Sequence, residues 1–369
     1  MAQQPAVDPD LLRGFTIAVV GHRRRHRVAD LLERHGARIV SVQGVRAVPQ
    51  PDAAVLRRAT AACLHTPPDD VVFSSAAGAR AWLRAAPDPD RLLKILRAAR
   101  LLAADARTAD ALRAAGLRDV LSTETGTADG VYRHVLAARA GGRRFAVQLD
   151  TPDQAEHCRR LRMSGADVVE VPTYVTAPPN DVVGVRRIVE LMGRRQVDAV
   201  AWLDPVAAGH ILRFADAHGR LPAVAAQLGV HIPVVCRGRL GAAVLHRHGV
   251  EATIAPMPFD EETAAVLARS VLDRAVHATV GGRALEVRGH AALLDGALYP
   301  IQQSPVEVLR LLAAEPGKVL SSADIRRRLP SPADVDDHAI EMAVSRLRRS
   351  LPDVGLVQTV IKRGYRLAV

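Results

Sequence analysis

Through residue 275, short apolar runs alternate with amphipathic stretches, the pattern of successive β-α units. Phe15-Thr16-Ile17-Ala18-Val19-Val20 is almost continuously apolar, as in a strand buried on both faces. Val28, Leu31 and Leu32 recur at helical spacing up to His35, and Gly36 supplies a C-terminal stop. Ala37–Val42 predicts the next strand. The same order then returns. Gly36-Ala37-Arg38-Ile39-Val40-Ser41-Val42 resembles Gly165-Ala166-Asp167-Val168-Val169-Glu170-Val171, 129 positions on. That register persists from Pro49 and Asp52 to Pro178 and Asp181, and from Asp69–Phe73 to Asp198–Trp202. After a small length change, Ala109, Leu112 and Gly116 pair with Ala242, Leu245 and Gly249. The second copy predicts a strand at Arg144–Leu149, a helix around His157–Met163 and a strand at Asp167–Val171. One supersecondary pattern therefore occurs twice. Alternating β and α elements predict an α/β fold of parallel sheets covered by helices, with ligand sites at the carboxyl ends of the strands.

The pattern changes after Ala275. Gly281-Gly282 marks the end of a linker expected over 278–283, followed by short strands around Ala284–Val287, Ala291–Leu294 and Ala297–Ile301. Ser304-Pro305-Val306-Glu307 has the form of a helix start, with serine as cap and proline in the first helical position. Ser321-Ser322-Ala323-Asp324 opens a second helix that stops before Pro330, and a third runs from Asp336-Asp337 to about Leu351. In the third, Ile340, Val344, Leu347 and Leu351 share a face that should meet the core. Met342, Ser345, Arg346 and Arg349 lie opposite, with Arg348 at the edge. Leu356–Ile361 and Tyr365–Val369 read as two strands around Lys362-Arg363-Gly364.

Charge sharpens this division. The chain has 50 basic and 39 acidic residues in 369, a net charge of +11, and Lys94, Lys318 and Lys362 are its only lysines. Arginine forks suit phosphates and carboxylates, so a nucleic-acid or other polyanionic partner fits, although an arginine-rich genome composition explains the same total. Location decides. From Arg346 onward there are six basic residues against Asp353 alone, where a merely solvated face would mix signs. The length suggests two to three domains. No run reaches the ~20 apolar residues of a membrane helix, and Met1–Pro5 lacks the features of a secretory signal, so a cytoplasmic location without membrane contact is expected. Cys63, Cys158 and Cys236 are dispersed and read as reduced thiols. Neither the His22/His26 pair nor His246/His248 has a carboxylate or cysteine at ligand spacing, so no metal is expected.

The order of blocks over roughly residues 13–275 resembles uroporphyrinogen-III synthase, the cofactor-free enzyme that cyclises a linear tetrapyrrole while inverting its last ring. The resemblance implies two α/β lobes joined by a two-stranded linker, with the site in the cleft between them. Residues 1–12 would be a flexible tail, 13–44 and 178–277 one lobe, and 45–177 the other, with crossings near Gly44–Pro51 and Thr173–Pro179. It also implies a catalytic role for Tyr174, if synthase activity is retained, and anion contacts from Ser74-Ser75 and from Thr108 at a helix start. Arg23 and Arg24 lie behind Gly21-His22, where the family has Thr-Arg. The second Thr-Ser-Pro is Leu203-Asp204-Pro205, Leu240-Gly241-Ala242 lacks the usual hydroxyl, and Asp105 replaces a glycine. An aspartate at a carboxylate-binding turn repels substrate, so these departures argue against the synthase reaction.

Ala343-Val344-Ser345-Arg346-Leu347-Arg348-Arg349-Ser350-Leu351, with Val357-Gln358-Thr359-Val360 and Gly364-Tyr365-Arg366-Leu367, is similar to the winged-helix domain of response regulators, over about 284–369. The resemblance implies double-stranded DNA as partner. Met342 and Arg346 would face bases, Arg348 and Arg349 phosphates, and Lys362 and Arg363 the wing contacts, with Ser345 and Tyr365 completing the set. Ile361 and Lys362 depart from the usual Arg-Gly of the wing. The combination resembles actinobacterial regulators of nitrate and nitrite assimilation, which implies a one-component transcription regulator. Its first module would sense a tetrapyrrole or other anionic ligand, or dock a second regulator or RNA polymerase, and the chain would bind DNA as a homodimer. An active synthase with an accessory DNA-binding domain is the alternative. No cofactor is expected.

Overall fold

A computed structural model describes residues 8–22, 25–50, 52–122, 128–138, 140–150, 154–256, 259–329 and 336–369. The chain begins with β1 (Thr16–Gly21), a helix (Arg25–Arg34) and β2 (Arg38–Gln43), then crosses on β3 (Arg46–Pro49). A second lobe follows, with β4 (Asp70–Phe73), β5 (Arg100–Ala103), β6 (Val120–Ser122), β7 (Arg144–Leu149) and β8 (Asp167–Pro172). β9 (Tyr174–Ala177) returns to the first lobe, which is completed by β10 (Ala199–Trp202), β11 (Val234–Cys236) and β12 (Thr253–Ile254). The two sheets have the orders β12-β11-β10-β1-β2 and β6-β5-β4-β7-β8, and their strand pairs are parallel. β3 and β9 pair antiparallel between the lobes.

This topology explains the sequence repeat. Each sheet takes two strands from one copy and three from the other, so neither copy closes a sheet by itself. The two stop glycines, Gly36 and Gly165, have the same left-handed backbone, with φ of 88° and 87°, as the offset of 129 residues requires. Both faces of each sheet are covered. In β1, Ala18 and Val20 enter the core formed with the Val182–Gly193 and Pro205–Ala217 helices. Ile17 and Val19 point to the opposite core, with Val28, Leu32 and Leu267. Alternation across a two-sided sheet is what makes the strand read as a continuous apolar run.

The C-terminal unit has one core. β13 (Val276–Val280), β14 (Arg283–Arg288), β15 (Ala291–Leu294) and β16 (Ala297–Pro300) form an antiparallel sheet. Helices Gln303–Ala314, Ser322–Arg328 and Asp337–Ser350 follow, then the hairpin of β17 (Val357–Val360) and β18 (Gly364–Leu367). Ser321 and Asp324 close a capping box on the second helix, as their spacing predicts. Ile340, Val344, Leu347 and Leu351 are buried, as their shared face predicts.

Three expectations change. Residues 8–12 are not a loose tail: Leu12 is fully buried beside Phe15 and Ile17, and its amide donates to the His35 carbonyl at 2.7 Å. The linker placed at 278–283 is largely β13 and a tight turn, since Val276–Val280 pair with Arg283–Val287. The helix expected to be capped by Ser304 starts at Gln303, with Gln302 at its cap and no side-chain cap bond. Gln303 instead donates through Nε2 to the Arg194 and Arg195 carbonyls, anchoring the helix start on the first lobe.

Gly364 sits at φ 125°, and a Cβ there would collide with the Leu320 carbonyl. That carbonyl accepts the Tyr365 amide at 2.9 Å, which pins the hairpin to the body of the domain. Gly364→Ala is expected to destabilise the C-terminal unit by about 3 kcal/mol, read from its thermal unfolding. The three cysteines are buried and reduced. Burial pushes the Cys63 thiol up to about 11 and Cys236 up to about 12, and raises Cys158 as well. Thiolate reagents are therefore expected to label the chain only after denaturation, a result that titration with a disulfide reagent in native and denaturing buffer checks.

Candidate nucleic-acid interface and interlobe cleft

The third helix of the C-terminal unit, Asp337–Ser350, is capped by Asp336, whose side chain accepts the Ala339 amide at 2.7 Å. With its apolar face buried, the stripe Met342, Ser345, Arg346 and Arg349 is left exposed. Arg346, Arg349, Lys362 and Arg363 make no ion pair among the described residues, and all four are exposed with the first module in place. Their charges remain available to an outside anion. Ile361 and Lys362 lie at the hairpin tip, where Lys362 adopts a left-handed φ of 61°.

Two neighbours behave differently. Arg348 donates from Nε to the Val357 carbonyl and from Nη2 to Thr359 Oγ1, both at 2.8 Å. Its donors hold the hairpin against the helix. Tyr365 is half-buried in the core cluster, and burial raises its phenol pKa. The resemblance placed Arg348 and Tyr365 in the DNA-contacting set, but only cross-element contacts distinguish a brace from an open donor.

The cleft residues are spread over both lobes. Arg23 and Arg24 lie outside the described residues. Their neighbour Arg27 pairs with Glu261 at 3.0 Å and approaches Asp260 at 3.8 Å. His22 Nε2 accepts the Ala47 amide at 3.2 Å, fastening the crossing strand. The amides of Ser74 and Ser75 both donate to Gln148 Oε1, at 2.9 and 3.0 Å, and Gln148 Nε2 donates to Thr173 Oγ1 at 2.9 Å. Ser75 Oγ caps its own helix through the Gly78 amide. Asp105 accepts the Thr108 amide at 2.7 Å, and Asp204 accepts the Ala207 amide at 2.6 Å. At these turns the amides that would face an anion are satisfied from within. The Ser74 and Thr108 hydroxyls are buried without a hydrogen-bond partner among the described residues. Tyr174 lies on β9, opposite Pro49, and packs against the second-lobe core.

The carboxyl end of the first sheet is closed by residues that local sequence patterns do not mark. Phe259, just before the Asp260–Leu272 helix of the first lobe, is buried in the core of the second lobe. Its ring lies 5.9 Å from that of His157, which stacks at 4.1 Å on Tyr132, and the Arg133 guanidinium sits 4.0 Å over its face. Arg133 also pairs with Glu261 and Glu262, at 3.2 and 2.9 Å. Beside this plug, Glu156 of the second lobe lies so close to Gly238 that a Cβ added there would push its side chain aside. Glu156 pairs with Arg159, and Arg237 pairs with Asp260. Glu156, Asp204 and Arg237 border a cavity of about 10 Å³, room for one water. Among the described residues no group of His, Cys, Asp and Glu is placed to hold a metal ion. No helix among them is long and apolar enough to cross a membrane.

A two-lobed α/β module with swapped repeats, joined to a winged helix bearing an open basic face, defines a DNA-binding regulator built on an enzyme-like fold. Residues 26–265 match the family model described as uroporphyrinogen-III synthase HemD, well over half of the 369-residue chain. The chain belongs to that family. Residues 298–367 match the model for the C-terminal domain of transcriptional regulatory proteins. An uncharacterized protein of Bacillus subtilis (strain 168), YjjA, is 24% identical over 254 residues, spanning 66% of this chain and 91% of that protein. The uroporphyrinogen III synthase of the extremely thermophilic bacterium Thermus thermophilus is 24% identical, covering 71% of this chain and 99% of that one, with a TM-score of 0.35. The DNA-binding domain of response regulator AdeR, solved with an intercistronic region, is 19% identical over 23% of this chain and 93% of that one, with a TM-score of 0.21. The chain thus couples a HemD-like module to an OmpR/PhoB-type DNA-binding domain.

Proposed function

We propose that this protein is a one-component, cytoplasmic transcription regulator whose HemD-like module controls the winged helix and does not run the synthase reaction. The observation that carries this reading is the contrast between two surfaces. At Ser74-Ser75, Thr108 and Asp204 the amides expected to receive substrate carboxylates are taken by Gln148, Asp105 and Asp204. On the winged helix Arg346, Arg349, Lys362 and Arg363 are exposed. Met342, Ser345 and Arg346 are assigned to base edges, Arg349, Lys362 and Arg363 to phosphates, and Arg348 and Tyr365 to holding the hairpin that presents them. Incubation with the linear tetrapyrrole tests the enzymatic part: the expected product is the spontaneous type I isomer alone, and type III isomer above background would restore the synthase reading.

The regulatory input is proposed to be a tetrapyrrole or other anionic molecule that binds as the lobes separate, with Arg23, Arg24 and Tyr174 as its proposed contacts. Target genes in nitrate and nitrite assimilation fit this input, because assimilatory nitrite reductase uses sirohaem, made from uroporphyrinogen III. A ligand acts here only through unequal affinity for the closed and open states. Operator affinity measured during a titration with uroporphyrinogen III is therefore expected to shift, and an unchanged affinity at saturation would remove the sensing role. The closed cavity favours a second reading, in which the module docks another regulator or RNA polymerase. Operator binding that needs the second protein and no small molecule would select it. As a homodimer, the chain would protect two half-sites about one DNA turn apart.

A further inference from the structure

The winged helix is docked on the first lobe along a seam of polar contacts. Arg288 Nη1 donates to the Asp10 and Arg13 carbonyls, each at 3.0 Å, and the His290 amide donates to the Gly14 carbonyl at 3.1 Å. Inside this seam is a cavity of about 40 Å³, room for about three waters or one small ion of four or five heavy atoms. The first lobe contributes Arg195, Asp198, His231 and Arg274 to its wall, and the winged helix contributes His290, Glu307 and Arg310.

Donors outnumber acceptors here. Arg195 Nη1, Arg310 Nε and His290 Nε2 are buried and have no hydrogen-bond partner among the described residues. Glu307 reaches Arg195 at 3.3 Å and Arg310 at 4.0 Å. The Asp198 carboxylate is engaged by the Thr16 amide at 2.7 Å. Two carboxylates therefore face three guanidiniums and two imidazoles. Arg274 spends its Nη1 on the Val230 and His231 carbonyls, at 3.1 and 2.9 Å, which fixes its head at the seam. Arg195 holds its place from a left-handed backbone, φ 53°, that a non-glycine residue adopts only when its surroundings enforce it. Burial lowers the pKa of Arg195 and Arg274, with the Arg310 charge adding to the effect on both. Burial raises that of Asp198, against the lowering effects of the His290 imidazole and the Thr16 amide.

We propose that this seam cavity is a binding site for one small oxyanion, held by Arg195, Arg310 and His290 and bridging the HemD-like module to the winged helix. An anion there satisfies three buried donors at once and ties together groups from both domains. Occupancy would favour the docked arrangement and set how the recognition helix is presented. The inference is independent of any ligand in the interlobe cleft.

Calorimetric titration of the full chain, in buffer free of other small anions, tests it with inorganic phosphate and with acetate as separate arms. A tetrahedral preference shows as phosphate binding more tightly, and a planar preference as acetate binding more tightly. Saturable binding of one ion per chain is expected in at least one arm. Arg310→Gln, and independently Arg195→Gln, should each weaken it about tenfold, while Arg310→Lys, which keeps charge but loses Nε, should fall between. The double variant R346A/R349A should bind the ion like the unaltered protein. Absence of saturable binding by the unaltered chain in both arms would overturn the proposal, leaving the cavity to water. So would loss of binding in R346A/R349A with Arg310→Gln unaffected, since the ion would then occupy the DNA-facing surface.

Discussion

Replacing Arg346 with alanine is expected to reduce operator affinity by about 10- to 100-fold and to relax sequence preference at the base it faces. Arg346 stands at the centre of the exposed stripe with Met342, Ser345 and Arg349, on a helix fixed by burial of Ile340, Val344 and Leu347. The substitution leaves that buried face untouched, so the fold should survive and the loss should belong to recognition. Arg349→Ala should weaken all duplexes more evenly and lower the salt dependence by about one counterion's worth, as expected of a phosphate contact. Arg348→Ala should differ from both. Its hydrogen bonds to Val357 and Thr359 join helix to hairpin, so its effect should appear first in the unfolding of the domain. Fluorescence anisotropy across a salt series, on operators recovered by genome-wide binding, separates the three. Equal affinity of Arg346→Ala and the unaltered protein would remove the recognition role given to this stripe.

Local pattern carried the fold where physics is local. A strand buried on both sides must be apolar throughout, so β1 was legible, and the repeated glycine stop at Gly36 and Gly165 set the 129-residue offset between the strands that follow, β2 and β8. The recognition helix was legible because 3.6-residue periodicity sorts Val344 from Arg346 without knowledge of what lies opposite. The boundary of the C-terminal domain was harder to place. Val276–Val280 alternates buried and exposed residues weakly, and only its pairing with β14 makes it a strand. The candidate cleft was least legible. Asp105 and Asp204 read as charges intruding on an anion site, whereas their oxygens cap the helices on which they stand. Phe259 carries no local signal at all. Its partners Tyr132 and His157 lie more than a hundred positions away in sequence, and their meeting depends on the crossing of β3 and β9.

The total charge gains a structural meaning from the same distinction. Many arginines of the first module are engaged internally. Arg100 and Arg143 meet the buried Asp70, each at 2.5 Å, and Arg162 meets Glu170 at 2.7 Å. Excess positive charge left open on the winged helix is a different quantity from excess charge in the composition. Only the former adds a local attractive field for DNA.

The largest loss of stability is expected from Asp260→Ala, at roughly 3–5 kcal/mol. Asp260 opens the Asp260–Leu272 helix, and its carboxylate meets Arg237, with both side chains almost wholly buried. Removing it takes a buried carboxylate away from the Arg237 guanidinium, which is itself almost wholly buried. It also takes negative charge from the first turn of a helix, where the backbone dipole favours it. The position compounds the effect: Arg237 borders the closed interlobe cavity, and Phe259, next to Asp260, plugs the second lobe. Asp260→Asn should recover little, because it preserves shape but not charge. Glu261→Ala supplies the contrast. Glu261 pairs with Arg27 and Arg133, but all three side chains are more than 40% exposed, and exposed pairs contribute about 0–1 kcal/mol. Urea unfolding of the module, followed by the fluorescence of Trp82 and Trp202, compares the variants directly. A small and equal shift for Asp260→Ala and Glu261→Ala would mean that the Arg237 pair is hydrated in solution, and that the lobes are not held shut at this point.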